Sequence, residues 1–296
     1  MKLSWPGLLT PFQIPLEHPG YPEALAETPD PPLLLSGYGD PAALRLPALA
    51  VVGARKATPY GLAAAALFAG WAAQAGYCII SGAAVGCDQA AHRAALESGG
   101  TTVAVLGTGA DIAYPSGSEE LLARIASHGC VVSELPFGHP AAKWTFRDRN
   151  RIIAGLAGAL LVLEAGCPSG TFITADRALD AGRDVLVVPG SIFAPESRGP
   201  NRLLRQGAIP ITDVSELAAA LASVLGPAPR EVDRLGTLCG PETDDAVHSA
   251  LRANPARPDD LARVLGLDIV QIARRIGELE ALGFVRKYPD GRYGPC

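Results

Sequence analysis

The chain has 296 residues, 48% of them hydrophobic and 19% charged, which fits a globular protein of one large or two ordinary domains and excludes a disordered chain. Its formal net charge of −5 argues against a protein that coats nucleic acid with its whole surface, but it permits a confined, salt-sensitive basic groove. No apolar run reaches the ~18 residues that span a bilayer, residues 1–10 carry no signal-peptide pattern, and Cys78, Cys87, Cys130, Cys167, Cys239 and Cys296 lack zinc spacing. A cytoplasmic protein with reduced thiols, no metal and no membrane partner is expected.

Residues 1–40 are rich in Pro and read as a lead-in packed on the domain that follows, with a short strand fed by Leu33-Leu34-Leu35. From residue 48 apolar runs alternate with helical stretches. Strands are expected at 49–52, 77–80, 102–106, 131–133, 159–163, 184–188 and 209–211. Helices are expected at 60–75, 88–97, 118–127, 151–156, 171–181, 201–206 and 214–225. Strands that are apolar throughout, alternating with helices, mean a mostly parallel sheet covered on both faces. The fold class is therefore α/β, with an extended Rossmann-like, doubly wound domain over 41–225. Residues 226–241 are aperiodic, with three Pro and several Gly, and read as a linker. Residues 242–296 predict helices at 244–253, 258–265 and 269–282 and a hairpin at 284–293, a small winged-helix domain.

Ligands of doubly wound folds bind outside the C-terminal ends of the strands, and the unusual motifs all fall there. Gly53-Ala54-Arg55 is not a dinucleotide fingerprint, but a tight strand-to-helix turn offers free N–H groups to an anion and Arg55 adds a charge; a structural turn with a solvated Arg explains it equally. Ser169-Gly170-Thr171 opens a helix without the Lys of a P-loop, so it suits a phosphate rather than ATP with Mg²⁺, or is a helix cap alone. In Ser81-Gly82-Ala83-Ala84-Val85-Gly86-Cys87-Asp88, Asp88 reads as a helix cap and His92 as structural. The densest signal is Lys143-Trp144-Thr145-Phe146-Arg147-Asp148-Arg149-Asn150-Arg151, four bases and two aromatics with one acid. Charge runs are usually solvated loops. Here Arg149, Asn150 and Arg151 are expected at the start of a helix, where the dipole disfavours cations and an anionic ligand would relieve the cost. Arginines among aromatics suit phosphates and bases of a single strand.

These residues in this order resemble the DprA/Smf family of DNA-processing proteins. The matches are Val52-Gly53-Ala54-Arg55, Ser81-Gly82 with Gly86 and Asp88, Ala91-His92, Tyr114-Pro115 and Ser133-Glu134. They continue with Arg149-Asn150-Arg151-Ile152-Ile153-Ala154-Gly155, Ser169-Gly170-Thr171 with Thr174-Ala175, Val188-Pro189-Gly190, Asn201 and Gly207-Ala208. The resemblance spans about residues 18–212, and residues 242–296 look like the winged-helix domain many members carry. It implies a protein without enzymatic activity or cofactor that binds and protects single-stranded DNA without sequence preference. It also implies loading of RecA recombinase onto that DNA during natural transformation, and a homodimer. Carried over by motif, the DNA-binding set is Gly53, Arg55, Ser81, Gly82, Lys143, Arg149, Asn150, Arg151, Ser169, Gly170 and Thr171. The chain departs from the family pattern at Val85, where Arg is expected, and at Cys87, which replaces Ile.

Two other readings compete. The Ser169-Gly170-Thr171 turn also resembles that of nucleotide phosphoribohydrolases, but Thr174 stands where their Glu is required. A transcription regulator could use the winged helix, but residues 242–296 hold nine acids and eight bases, a poor charge balance for reading duplex DNA.

Overall fold

The computed structural model describes residues 5–7, 9–232, 245–288 and 290–295. The chain divides into two compact units, residues 1–57 with 64–232 and residues 58–63 with 233–296.

In chain order the first unit runs β1 (Pro11–Pro15), α1 (Glu23–Ala26), β2 (Leu34–Gly39), β3 (Ala48–Val52), α2 (Pro59–Gln74, which enters this unit at residue 64), β4 (Cys78–Ser81), α3 (Cys87–Glu97) and β5 (Thr102–Val105). It continues with α4 (Glu119–His128), β6 (Gly129–Ser133), α5 (Lys143–Leu156), β7 (Ala159–Val162), α6 (Gly170–Asp180), β8 (Asp184–Val187), α7 (Arg198–Arg205), β9 (Ile209–Pro210) and α8 (Val214–Leu225). The strands form one sheet in the order β1-β2-β6-β5-β4-β3-β7-β8-β9. From β6 to β9 neighbours pair in parallel, while β2 joins β6 and β1 joins β2 antiparallel. The expected mostly parallel α/β sheet is thus present. Residues 1–40, however, do not merely lie against it, because they supply two of its strands.

Every residue of β3, β4, β5, β6 and β7 is buried, as a sheet covered on both faces demands. Ala48, Ala50 and Val52 pack with Ile152, Ile153, Leu156, Ala175 and Ala178 of α5 and α6 on one face. Leu49 and Val51 pack on the other face with α2, α3 and α8 through Ala65, Phe68, Ala72, Ala91, Leu217 and Leu221. The chain winds outward from β3 through β4 and β5 to β6, then returns to the other side of β3 at β7. The switch point of the sheet therefore lies between the C-terminal ends of β3 and β7, where an open α/β sheet forms its crevice.

Helix α5 corrects the expectation that the basic stretch precedes a helix starting at Arg151. It begins eight residues earlier, at Lys143. Its N-cap, Ala142, has no polar side chain; instead Thr145 Oγ1 accepts from Ala142 N at 3.4 Å and donates to Gly107 O at 2.5 Å. A residue beyond β5 thus anchors the first turn. Trp-Thr-Phe is a poor helix former by local propensity, so this start depends on a tertiary contact. Arg149, Asn150 and Arg151 lie in mid-helix, and the dipole argument moves from them to Lys143.

The second unit contains α9 (Ala246–Ala253), α10 (Pro258–Leu265), α11 (Ile269–Ala281) and a hairpin of β10 (Val285–Lys287) with β11 (Tyr293–Pro295). Val247, Leu251, Leu261, Ile272, Ile276, Leu279 and Val285 form its own core. Asp245 and Asp268 cap α9 and α11 by accepting from His248 N and Val270 N, each at 2.8 Å. Residues 226–232 of the expected linker run beside the end of α2, where Arg230 N donates to Ala75 O; residues 233–241, with Cys239, and the expected helix start at Asp244 fall outside the described residues, as does Cys296.

Candidate nucleic-acid interface

The turns after β3 and β7 meet at the switch point, bound by Leu163 N donating to Val52 O at 3.1 Å. Gly53 is half-buried and Arg55 is exposed. The Arg55 guanidinium lies over the Phe146 ring of α5, 5.5 Å from its centroid. The Tyr114 ring packs on Phe146 with centroids 4.8 Å apart. Gly107 makes this possible: a Cβ there would come within 2.6 Å of the Phe146 ring. Arg55, Phe146 and Tyr114 therefore form one aromatic and cationic row across the strand ends. Lys143 and Arg147 are exposed on the same helix. No acidic residue occupies the first turn of α5, so that end is electropositive.

The Gly166–Thr171 turn follows β7 at the same edge of the sheet. Ser169 caps α6 by accepting from Thr171 N at 3.2 Å, and its hydroxyl meets Thr171 Oγ1 at 3.1 Å. Thr171 is buried behind this cap. A Cβ at Gly166 or Gly170 would meet nothing within 4 Å, so the turn opens onto free space. Arg202 of α7 borders it, with its guanidinium 5.2 Å from the Phe172 ring centroid.

Several predicted site residues face inward instead. Arg149 is only 5% exposed and donates through one Nη to Gly82 O (2.8 Å) and to Val105 O. Burial draws its pKa down to about 10 while the Asp88 carboxylate opposes that shift, so it stays cationic. Asp88 does not cap α3. It sits inside the first turn and accepts from Gly82 N at 3.2 Å and Ala84 N at 3.4 Å. Burial raises its pKa, opposed by Arg149 and these N–H groups. The cap position is Gly86, whose φ of 93° favours glycine and where a Cβ would come within 2.6 Å of Arg55 O. Ser81 Oγ donates to Val51 O at 2.6 Å and staples β4 to β3. Both backbone groups of Gly82 and the Ser81 hydroxyl are used within this network, and Arg149 commits one Nη to it, while its buried Nε has no hydrogen-bond partner among the described residues. Arg151 is held by Glu134 and by Asp30, the latter at 3.0 Å. Asn150 is half-buried beside it.

His92 is structural. Thr102 Oγ1 donates to Ile79 O, so His92 Nδ1 donates to Thr102 Oγ1 at 2.7 Å. Burial, with Arg149 and Arg93, lowers its pKa to about 3, which keeps it neutral. Val85, at the family's Arg position, is exposed and leaves that turn without a cation.

Sequence reasoning did not single out Phe146 with Tyr114 as a stacked pair, because their 32-residue separation carries no spacing signal. It also passed over Glu164, an acid only 2% exposed at the end of β7, whose charge adds to burial in raising the Cys87 thiol. The signal was an acid closing an otherwise apolar strand.

A family model described as DNA recombination-mediator protein A matches residues 13–222. A DprA protein of Mycobacterium tuberculosis is 41% identical over 250 residues, covering 83% of this chain; the chain spans 64% of that relative's length. Escherichia coli protein Smf is 36% identical over 297 residues, covering 98% of this chain and 79% of its own. The crystal structure of DNA processing protein A from Streptococcus pneumoniae superposes with a TM-score of 0.67 at 38% identity, over 72% of this chain and 74% of that one. A Helicobacter pylori DNA processing protein A, described for its single-stranded DNA binding mode, gives 0.66 at 28% identity, over 73% and 97% of the two chains. The span of the family model takes in the strand-end turns and α5 that build the interface. The chain belongs to the DprA family.

Proposed function

We propose that the first unit binds single-stranded DNA without sequence preference at the switch point of its sheet. The observation that carries this reading is the Arg55–Phe146–Tyr114 row, a cation beside ring faces, at the same sheet edge as the open Gly166–Gly170 turn. In this reading Arg55 and Lys143 hold phosphates, and the N–H groups of Gly170 and its neighbours donate to another. Arg149 contributes by keeping the Gly82 turn and α5 in register, not by touching DNA. Arg151 fixes α5 against Glu134 and Asp30 in the same way. The bound strand is protected and passed to RecA recombinase, the protein acts as a homodimer, and it performs no chemistry of its own. Membership in a family of recombination mediators supports this extension.

The test is the affinity of the full chain for a labelled oligothymidylate, by fluorescence anisotropy over a range of salt. Arg55→Ala and Lys143→Ala should each weaken binding, and each should reduce the slope of log K against log salt by about one. Unchanged affinity in both variants removes the pocket from consideration.

Duplex reading by the second unit is opposed by its charges. Arg275 of α11 pairs with Asp245 at 2.5 Å and Glu278 at 2.7 Å, and Arg274 pairs with Glu278 at 3.1 Å. Both arginines of α11 are thus paired with acids.

A further inference from the structure

The chain has three tryptophans. Trp71 is buried, its ring 6.5 Å from that of Tyr77. Trp5 donates from Nε1 to Ala110 O at 3.0 Å and meets Tyr38 edge-on at 5.7 Å. Both have a packing role. Trp144 does not share it: it is 56% exposed in the first turn of α5. Its ring contact is the His139 imidazole, perpendicular at 87° and 6.1 Å away. An edge-on neighbour orients an indole without hiding its faces.

Two cations flank Trp144. Lys143 precedes it and Arg147 follows three residues later, one helical turn away on an adjoining part of the same surface; the one acid of the stretch, Asp148, follows at four, and all four side chains are exposed. Phe146, two residues on, projects toward the opposite flank of the helix, where Arg55, Tyr114 and Gly107 occupy its ring. The two aromatics of the stretch thus differ in kind. Phe146 is packed into the strand-end row, and Trp144 presents its surface to solvent beyond Lys143 and Arg147.

We propose that Trp144 is a stacking platform for a base of the single strand, placed where the strand crosses the first turn of α5, with Lys143 and Arg147 holding the phosphates on either side. The ligand is an unpaired nucleobase of any identity, since every base has a π-face and nothing beside the indole reads its edge. This proposal rests on the strand-end pocket as the DNA site and extends the path outward from it.

The experiment uses the full chain and a fluorescein-labelled oligothymidylate, read by anisotropy, together with tryptophan emission on titrating the unlabelled oligonucleotide. Trp144 is the exposed indole, so its emission should be quenched saturably at the concentrations that raise the anisotropy. Trp144→Leu should weaken binding on the order of five- to a hundredfold, the range for loss of one stacked base. Its salt slope should equal the wild-type slope, because a stacked base releases no counterion. Trp144→Phe should restore most of the affinity, which a requirement for apolar bulk alone would not do, since Leu meets it. Wild-type affinity in Trp144→Leu, with binding still lost in Arg55→Ala, overturns the platform and leaves the pocket standing. Equal loss in Trp144→Leu and Trp144→Phe also overturns the platform. Absence of any anisotropy change with the wild-type chain overturns the pocket, and the platform with it.

Discussion

At the scale of single residues, the four bases of the 143–151 stretch have three different environments. Lys143 and Arg147 face solvent, Arg149 faces the core and Arg151 faces two carboxylates. Composition identified the stretch as unusual, but helix phase divides these roles. A guanidinium as deeply buried as that of Arg149 is costly to desolvate, and it is retained by its bonds to Gly82 O and Val105 O and by the opposite charge of Asp88. Removing one member of such a pair strands the other. Arg149→Met should therefore destabilise the fold by about 3–5 kcal/mol in urea unfolding. Arg149→Met with Asp88→Asn should recover part of that loss, because the lone carboxylate is gone while an amide oxygen still accepts from Gly82 N and Ala84 N. Arg55→Ala, on an exposed turn, should leave stability within about 0.5 kcal/mol. If Arg149→Met is as stable as Arg55→Ala, the buried network is not what holds the turn.

At the scale of elements, α5 unites the site. Its inner face carries Ile152, Ile153 and Leu156 into the core, and its first turn brings Lys143, Trp144 and Phe146 to the strand ends. The first turn is secured by Thr145, whose hydroxyl donates to Gly107 O. Thr145→Val keeps the shape and removes the hydroxyl, leaving a carbonyl without its partner at a cost of about 1–3 kcal/mol. The expected outcome is a loosened first turn: weaker oligothymidylate binding than wild type with an unchanged salt slope, and faster amide hydrogen exchange at residues 143–147. Binding and exchange equal to wild type would show that the first turn stands without this anchor. The sequence places the start of this helix at Arg151, and the low propensity of Trp-Thr-Phe gives no local signal for the earlier start. The bond that overrides it comes from a residue 38 positions away, which no local window contains.

At the scale of the whole molecule, each unit has its own core, and the row of candidate DNA contacts belongs to the first. A chain ending at residue 232 should bind oligothymidylate within about threefold of the full chain. With Arg274 and Arg275 engaged by acids, the full chain should show no gain in duplex affinity over the shortened one. Side-by-side anisotropy titrations with single-strand and duplex probes check both statements, and a large loss of single-strand affinity on shortening would place part of the site in the second unit.

The sequence by itself determined the parallel part of the first unit's sheet. Apolar runs at 49–52, 102–106 and 159–163 alternate with helices, and such runs can be buried only in a parallel sheet covered on both faces. It also placed the unusual turns at one edge of that sheet, because in a doubly wound fold each of them follows a strand. It could not decide which side chains of those turns are free. That Arg149 is an internal tie to Gly82, that the Ser81 hydroxyl is bound to the neighbouring strand, and that Phe146 packs with Tyr114 under Arg55 all depend on contacts between residues far apart in the chain. A motif records which residue types occur together; whether a charge points at solvent or at a carbonyl is settled only when strands and helices pack.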